Sequence, residues 1–417
     1  MDLTREEQQM LSGAEGEGYK KAMEILVKMG EYSGAKRMVP ISWADLTTFS
    51  GRWGGHGDSP DNDMYNFLRA FEDLSLKENA KFKCPTTIVD ASNEPGRNER
   101  MEKLGAKLVA PSGGSGPQDV FPLPLFGQYV APGPTNVATY LNSMVGARGN
   151  NEGPVGVHMA ALTGRIPEYG YLLDENRHGK VLVEVKGQLK NYIDWAVLGF
   201  YISKRLSTHY WDVPVLTGID PLTVTSDDIM SFCASMNHPG SVTHFLIEGL
   251  SPEAATLETA FDGKEPKETF IVGPKEMKEV YDMYAPSGNK PDIVTVRFPL
   301  TVERLYEVAH LLEGKRIHKD VSFAVILSNS AKLVAERYGL REVLESAGVL
   351  MGDRQGQVMW KGRIIDPWVD ARREGIKTMV TDSLKDCNGV GQQEIEVALL
   401  PSLEAVINTA ISGKIEV

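Results

Sequence analysis

The strongest constraint on the fold is an alternation of strand-like and helix-like segments from residue 180 almost to the end of the chain. VLVEV (181–185) and PVLTGI (214–219) have the apolar, β-branched composition of buried strands, and helix-like spacing follows each of them. Further predicted elements are a helix over 190–206, a helix over 226–236, the strand 242–249, the strand 293–298, a helix over 301–313, the strand 321–327, helices up to Gly348, the strand 376–383 and a closing helix over 402–410. His244 lies inside the strand 242–249, where a hydrogen-bonded core histidine is favoured over a catalytic one. Strands joined by helices predict an α/β fold of parallel sheets covered by helices.

The composition of APSGNKP (285–291) is that of a linker and indicates a division of the chain near residue 290. We therefore predict N-terminal lobes over 1–290, with a central segment at 126–170, and a C-terminal α/β lobe over 291–417. At the start of the chain, Thr4 followed by Glu7 has the spacing of a capping box and predicts a helix.

The charge distribution narrows the possible partners. The formal net charge is −12, and acidic and basic residues are mixed along the chain. Nucleic acids and anionic membranes need a concentrated basic face, so neither is expected as a partner. No window approaches the roughly 20 apolar residues of a membrane span, and MDLTREEQQ lacks the order of a signal peptide. We expect a cytoplasmic protein.

The central segment contains the most distinctive loop, GARGNNEGP (146–154). Its glycines allow a tight backbone path, and Arg148, Asn150, Asn151 and Glu152 concentrate polar groups there. The guanidinium of Arg148 matches a carboxylate or phosphate, so the loop suits the end of an anionic substrate. The alternative is an ordinary surface loop between two helices.

A second group of candidates follows the strand-like stretch KFKCPTTIVD (81–90). Ligand contacts in α/β proteins lie at the carboxyl ends of strands, so Thr86, Thr87, Ser92 and Asn93 are candidate contacts. The loop at 50–63, with His56 and several aspartates, allows a metal site as an alternative, but its Gly, Asp and Ser content is equally that of a flexible loop.

Cys84, Cys233 and Cys387 are the only cysteines and are far apart in sequence. An odd number at this chain length does not indicate a disulfide framework. Cys84 lies in a strand-like run interrupted at Pro85, and Cys233 has helical neighbours, so both are interpreted as small buried apolar residues. Cys387 follows Ser383 and Lys385 and is the one cysteine that we consider as a functional candidate.

An ordered series of strings resembles the large subunit of the aconitase X family and covers nearly the whole chain. These strings lie at 3–31, 126–153, 162–170 (LTGRIPEYG), 172–187 (LLDENRHGKVLVEVKG), 194–206, 213–219 and 240–254. The resemblance implies the multi-lobed fold of aconitase domains one to three. It also implies a hydro-lyase that dehydrates a small hydroxy acid of the phosphomevalonate or cis-3-hydroxy-L-proline type. In the family a short swivelling domain closes over the site, and its absence from this chain implies a small-subunit partner.

The resemblance also implies site residues. In the central loop it carries over Arg148, Asn150 and Glu152, and elsewhere Arg165 of the TGR turn, Thr86 and Thr87, and Ser383 with Lys385 in TDSLK. By this resemblance Arg148 and Lys385 hold the anionic group, Ser383 is the base or a proton relay, and Glu152 and Asn150 orient it. A salt bridge between Arg165 and Glu152 is the alternative to substrate contact.

The family's iron-binding cysteines are missing from this chain. Where the family has Gly-Cys-Pro-His after the strand near 293, this chain has Arg297, Phe298, Pro299 and Leu300. The family's Asp-Thr-Cys corresponds to Asp353, Arg354 and Gln355. The expected iron or iron-sulfur centre therefore lacks its thiolate ligands, and the cofactor is left open, with no metal ligand assigned. Arg297 and Arg354 would supply positive charge in its place.

Two function classes follow from this sequence. The first is a divergent aconitase X-like lyase or isomerase that works without the usual iron centre, favoured by the central loop and by Ser383 and Lys385. The second is a non-catalytic member that acts as a scaffold or ligand-binding subunit, favoured by the loss of the metal cysteines.

Overall fold

The computed structural model describes residues 1–46, 63–90, 96–111, 124–207, 211–237, 242–297, 301–327, 329–350, 358–391 and 394–416. Ser92, Asn93 and Arg354, and nearly all of the loop at 50–63, lie outside these ranges. Among the described residues, none of the helices has the length and apolar character needed to cross a membrane.

The N-terminal part of the chain builds one parallel sheet, in the order β4-β3-β2-β5, and an antiparallel pair, β1 with β6. Its elements are α1 (Arg5–Ser12), α2 (Glu17–Tyr32), β1 (Met38–Pro40), β2 (Trp43–Leu46), α3 (Asp63–Lys77), β3 (Thr86–Asp90), α4 (Arg97–Leu104), β4 (Lys107–Pro111), β5 (Val130–Pro132), α5 (Thr135–Tyr140), a π-helical turn (Leu141–Val145), α6 (Gly153–Thr163) and β6 (Arg165–Pro167). The predicted capping box is confirmed, because Thr4 and Glu7 exchange hydrogen bonds at the start of α1.

The middle part builds a second parallel sheet, in the order β10-β7-β8-β9. Its elements are short 3₁₀ turns at Gly170–Leu172, Asp174–Asn176 and Pro221–Thr223, with β7 (Val181–Val185), α7 (Tyr192–Arg205), β8 (Pro214–Thr217), α8 (Ser226–Met236), β9 (Leu246–Ile247), α9 (Leu257–Ala260), β10 (Glu268–Val272) and α10 (Pro274–Met283). Helices α7 and α8 pack closely at Gly199, where a Cβ would lie 2.8 Å from the carbonyl oxygen of Phe232.

The C-terminal part builds a third parallel sheet, in the order β12-β11-β15-β16, and an antiparallel pair, β13 with β14. Its elements are β11 (Ile293–Val296), α11 (Val302–Leu312), β12 (Ser322–Val325), α12 (Asn329–Arg337), α13 (Leu340–Ala347), β13 (Val358–Trp360), β14 (Arg363–Ile365), α14 (Pro367–Asp370), β15 (Thr378–Thr381), α15 (Leu384–Gly391), β16 (Glu396–Leu399) and α16 (Leu403–Ser412). The apolar side chains of β11, β12 and α11 share one buried core with α16.

The predicted α/β fold with parallel sheets is confirmed: within the described residues, each of the four-stranded sheets is parallel throughout. The strand predicted around His244 is shorter than expected, since β9 begins at Leu246. His244 itself is buried, and its Nε2 lies 3.1 Å from the carbonyl oxygen of Arg177. It is therefore the hydrogen-bonded core histidine that such a position favours. The division of the chain near residue 290 stays a prediction.

Candidate active site

Polar residues follow two neighbouring strands of the C-terminal sheet. Strands β11 and β15 are paired in parallel, so their carboxyl ends lie at the same edge. The chain leaves β11 at Arg297 and leaves β15 at Asp382 and Ser383, and α15 begins directly afterwards. This edge is where open parallel sheets place ligands, and it brings together three of the predicted site residues, Arg297, Ser383 and Lys385.

Asp386 holds this edge together. Its carboxylate is fully buried, and Oδ1 accepts a hydrogen bond of 2.5 Å from the Arg297 guanidinium. Oδ2 accepts from the hydroxyls of Thr295, at 3.1 Å, and Thr381, at 3.2 Å. Arg297 therefore lies at this edge, and its charge is balanced in part by the buried carboxylate of Asp386, which the sequence patterns did not indicate.

Lys385 is 8% exposed on the first turn of α15. Burial, reinforced by the nearby positive charge of Arg297, lowers the pKa of Lys385 to about 7, although Asp386 acts in the opposite direction. A lysine with this pKa is partly neutral at physiological pH. It can therefore accept a proton, which is a different chemistry from the purely charge-holding role that the sequence implied.

Asp382 is the second titratable group at this edge. Its carboxyl is 1% exposed and accepts hydrogen bonds of 2.8 Å from the backbone nitrogen of Arg297 and from the hydroxyl of Tyr192. Burial raises the pKa of Asp382 to about 7, against the lowering effects of the Arg304 charge and of these two hydrogen bonds. Two groups of different chemical type, three residues apart in the chain, thus have pKa values near neutral pH, a pattern typical of acid–base sites.

Ser383 directly precedes helix α15. Its backbone nitrogen donates to the hydroxyl of Thr381 at 3.1 Å, and its carbonyl oxygen accepts from the nitrogens of Asp386 and Cys387. The side chain is buried at the same edge as Lys385. Its role as a base or proton relay stays a prediction.

The central loop is tied to the segment that follows β6. The amide nitrogen of Asn150 donates to Glu152 Oε1 at 3.2 Å and to the Tyr169 carbonyl at 3.0 Å, and its oxygen accepts from the Tyr171 nitrogen at 2.9 Å. Glu152 Oε2 accepts from the Tyr169 hydroxyl at 2.6 Å. Burial raises the pKa of Glu152, while the bonds from Tyr169 and Asn150 oppose that rise. The polar groups of Asn150 and Glu152 thus stabilise the loop itself, whereas Asn151 is half-buried beside them.

The two arginines of this region bind protein groups. Arg148 donates to the carbonyl oxygen of Leu172 at 3.2 Å and pairs with the exposed carboxylate of Asp174. Arg165 pairs with Glu6 at 2.8 Å and with Glu7 at 3.1 Å. The proposed salt bridge between Arg165 and Glu152 is therefore wrong: the TGR turn faces helix α1, which offers two carboxylates.

Thr86 and Thr87 lie at the amino end of β3 rather than at its carboxyl end, which corrects the sequence interpretation. Pro85 lacks a backbone N–H, so the strand begins after it. Thr86 donates to the Cys84 carbonyl at 2.9 Å, and Thr87 donates to Asp45 Oδ1 at 2.7 Å. Both hydroxyls thus have acceptors within the N-terminal part of the chain.

A cavity of about 860 Å³ lies between the carboxyl ends of β7 and β8 and the helices α11 and α16. Its walls carry an excess of carboxylates over cationic groups, from Asp220, Asp227, Asp228, Glu303, Glu307 and Glu404 against Lys190 and His310. An anionic substrate would be repelled there. We therefore place the candidate active site at the edge formed by β11 and β15.

The three cysteines do not fit a thiolate-held iron centre. Cys84 packs in the core of the N-terminal sheet, Cys233 in the core under α7 and α8, and Cys387 in a third core with α15. Burial raises the pKa of the Cys84 thiol to about 11 and raises those of Cys233 and Cys387 well above the ordinary value. Thiols that are kept protonated in separate cores are poor metal ligands. Across the described ranges, no group of three or more His, Cys, Asp or Glu side chains is arranged to hold a metal.

Sequence reasoning missed Asp382, Asp386 and Tyr192. The first two flank Ser383 and Lys385 in TDSLKD at the end of a predicted strand, so the position at a strand end could have identified them. Tyr192 gave no such signal, because it reaches Asp382 from a helix 190 residues earlier in the chain.

Comparison with known proteins gives consistent matches. The model of the aconitase X first domain matches residues 1–115 and 116–175, and that of the aconitase X second domain matches residues 179–282. The phosphomevalonate dehydratase large subunit of Thermococcus kodakarensis is 30% identical over 83% of this chain and 86% of the relative. The cis-3-hydroxy-L-proline dehydratase of Pseudomonas aeruginosa is 25% identical over 98% of this chain and 70% of the relative.

A solved structure agrees with these matches. The crystal structure of Thermococcus kodakaraensis aconitase X in its holo form has a TM-score of 0.82 and 27% sequence identity to this chain. The match covers 98% of this chain and 100% of the chain in that structure. The predicted family and aconitase-like fold are confirmed, and the names of the relatives agree with the predicted class of dehydratase.

Proposed function

Because the chain belongs to the aconitase X family, we propose that it is the large subunit of a hydro-lyase that dehydrates a small hydroxy acid with an anionic group. The observation that carries this proposal is the edge of the C-terminal sheet. There, Lys385 and Asp382, each with a pKa of about 7, lie beside Arg297. Substrates of the phosphomevalonate and hydroxyproline types, named for the relatives, are the first to test.

Dehydration breaks one C–H bond and one C–O bond and forms a C=C bond and water. The neutral amine of Lys385 takes the proton from the carbon, with Ser383 available to relay it. The electron pair of the C–H bond forms the C=C bond as the hydroxyl leaves. Protonated Asp382 gives its proton to the leaving hydroxyl, which departs as water. At neutral pH the site then needs Lys385 without its proton and Asp382 with one, and both forms are populated when the two pKa values lie near 7.

The anionic end of the substrate needs cationic and amide donors. Arg297 lies at the edge itself, and Arg354 and the loop residues Arg148, Asn151 and Glu152 stay our candidates for contact or orientation. For Arg165, Thr86, Thr87 and Asn150 the bonds to protein groups favour a structural role.

We also propose a small-subunit partner, since relatives of similar extent are named large subunits. The cytoplasmic location and the absence of the family's usual iron centre stay predictions. The mechanism above uses no metal, because the cysteines lie in separate cores.

The alternative is a ligand-binding or scaffold subunit without catalysis. The internal bonds of Asn150 and Glu152 and the pairing of Arg148 with Asp174 favour it, because these groups have protein partners without a substrate.

The test uses the chain alone and with a co-expressed small subunit. Phosphomevalonate or cis-3-hydroxy-L-proline is added, and proton NMR follows the alkene product and exchange of the C–H proton in D₂O. Lys385→Met should lower turnover by about 100-fold or more. The exposed Lys377→Met is the matched control and should leave turnover unchanged.

Each outcome decides one claim. Turnover that survives in Lys385→Met would remove the lysine from the mechanism. Saturable binding of either compound without turnover would support the ligand-binding alternative, and neither binding nor turnover would reject the proposal. Iron content is measured on the same anaerobic preparation, and stoichiometric iron required for turnover would contradict the metal-free mechanism.

A further inference from the structure

The Asp382 carboxyl is fixed from two parts of the fold. Its Oδ1 accepts from the backbone nitrogen of Arg297, at the end of β11, and its Oδ2 accepts from the hydroxyl of Tyr192, both at 2.8 Å. Tyr192 is the first residue of α7, which covers the sheet of the middle part. The direction of this buried carboxyl thus depends on a side chain from outside the C-terminal sheet.

The start of α7 is anchored. The side-chain oxygen of Asn191 accepts from the nitrogens of Ile193 and Asp194, and its amide nitrogen donates to the Pro401 carbonyl at 2.9 Å. One asparagine therefore caps α7 and ties it to the segment before α16. This bond keeps Tyr192 close to the C-terminal part of the chain.

Arg304, on α11, holds the ring of Tyr192. Its side chain is fully buried, and its guanidinium carbon lies 3.0 Å from the centroid of the Tyr192 ring. Its NH2 lies 2.9 Å from Asp227 Oδ2 on α8. That contact is close but poorly directed for a hydrogen bond, so it is mainly electrostatic. A buried guanidinium is tolerated when it has such a carboxylate and an aromatic face.

We propose that Tyr192 and Arg304 are positioning residues for the proposed reaction: Tyr192 directs the Asp382 carboxyl, and Arg304 fixes Tyr192. In this arrangement the middle part of the chain completes the active edge of the C-terminal sheet. The inference rests on the proposed function only in making Asp382 the proton donor. The geometric claim, that Tyr192 sets the state of Asp382, can be tested without turnover.

The expected direction follows from the groups around Asp382. The positive charge of Arg304 lies near Asp382, the backbone nitrogen of Arg297 donates to it, and Asp386 adds a nearby negative charge. Burial raises the pKa of Tyr192 well above its usual value, so its hydroxyl stays a donor throughout the working range. Loss of this donor favours protonated Asp382 and moves its titration to higher pH.

The primary variant is Tyr192→Phe in the full chain. Difference infrared spectroscopy follows the carboxylic acid band of Asp382, assigned by its loss in Asp382→Asn. The midpoint should rise by about one pH unit, the size expected for losing one hydrogen bond to a charged group. In the active enzyme, the apparent pKa of the alkaline limb of the pH–rate profile should rise by the same amount. In the same variant, kcat should fall by about 10- to 100-fold, and KM should stay within about twofold of wild type.

Tyr281→Phe is the matched control, because Tyr281 donates a hydrogen bond of 2.7 Å to Asp194 outside the site. It should leave the Asp382 midpoint and the rate profile unchanged. Arg304→Lys keeps the charge and loses the planar group over the ring, so its midpoint should shift in the same direction by less. If Tyr192→Phe shows no cooperative unfolding transition, and is therefore not folded, the Asp382 midpoint in Arg304→Lys tests the positioning role instead.

Unchanged Asp382 midpoints in both Tyr192→Phe and Arg304→Lys would overturn the positioning role. A shifted midpoint in a chain that turns over neither compound would uphold the geometry and reject the proposed function. A shifted midpoint with an unchanged rate profile would uphold the geometry and remove Asp382 as the proton donor.

Discussion

Asp45 lies on β2 in the N-terminal sheet and gives the sharpest stability prediction. It is 2% exposed, and its Oδ1 accepts a hydrogen bond of 2.7 Å from Thr87. Burial raises the pKa of Asp45 to about 7 from its ordinary value of 3.8, although the Thr87 bond opposes this. Asp45→Asn keeps an acceptor for Thr87 and removes the charge.

The size of the effect follows from these two pKa values. Between pH 3.8 and about 7 the folded protein keeps a proton on Asp45 that the unfolded chain has lost. The wild type therefore loses stability as pH rises through this window, by about 4 kcal/mol in total at about 1.36 kcal/mol per pH unit. The asparagine variant has no such loss. The difference in stability between the variant and wild type should be near zero at pH 3.8 and should increase as pH rises to about 7.

The stability difference between Asp45→Asn and wild type is measured by urea unfolding between pH 4.5 and 8, at steps of about half a pH unit. Tryptophan fluorescence is the signal, and Trp43 on the same strand is one reporter. The exposed Glu31→Gln is the control and should stay within about 0.5 kcal/mol of wild type at each pH. A stability gain in Asp45→Asn that does not grow with pH would refute the reasoning.

Three further predictions concern buried charge. His158 lies between Phe71 and Phe82, neither ring nitrogen has a hydrogen-bond partner among the described residues, and burial lowers its pKa to about 3. The wild type therefore loses stability as pH falls below about 6.5. In urea unfolding, the stability that His158→Leu gains over wild type should be about 2 kcal/mol larger at pH 5 than at pH 7.5. An equal gain at the two pH values would contradict this. Arg177→Met breaks a buried pair with Glu253 and should destabilise the protein by about 3 kcal/mol. The control Arg205→Met removes an exposed pair and should change the urea midpoint little. Similar urea midpoints for the two variants would show that the buried pair is unimportant. If turnover is found, kcat/KM should fall below about pH 7 as Lys385 gains its proton, and a rate that is flat from pH 5.5 to 7 would exclude it as the base.

Local signals predicted much of the fold. The helix over 226–236 has the predicted bounds because Thr225 and Asp228 form a capping box at its start. The strand over 181–185 also has its predicted bounds, and its signal likewise lies in residues that are neighbours along the chain. The strand around His244 was predicted too long, because apolar composition records burial and does not distinguish a strand from buried irregular chain.

The sequence identified part of the candidate site. Ser383 and Lys385 lie at the predicted strand end, and Arg297 joins them because β11 and β15 are neighbours. The predicted partner of Arg165 was wrong, since the choice between Glu152 and helix α1 depends on how the turn faces α1. Likewise, the position of Thr86 and Thr87 on β3 depended on where that strand begins.

The sequence alone determined the parallel α/β architecture, the family resemblance and the strand end that carries TDSLKD, because each is a matter of residues close together along the chain. Only the tertiary structure decided which groups meet there. Tyr192 and Asp382 are 190 residues apart, and Arg297 and Asp386 are 89 apart. Their contacts arise from strand order and helix packing. The shifted pKa values of Lys385 and Asp382 arise from that same burial, which no local pattern records.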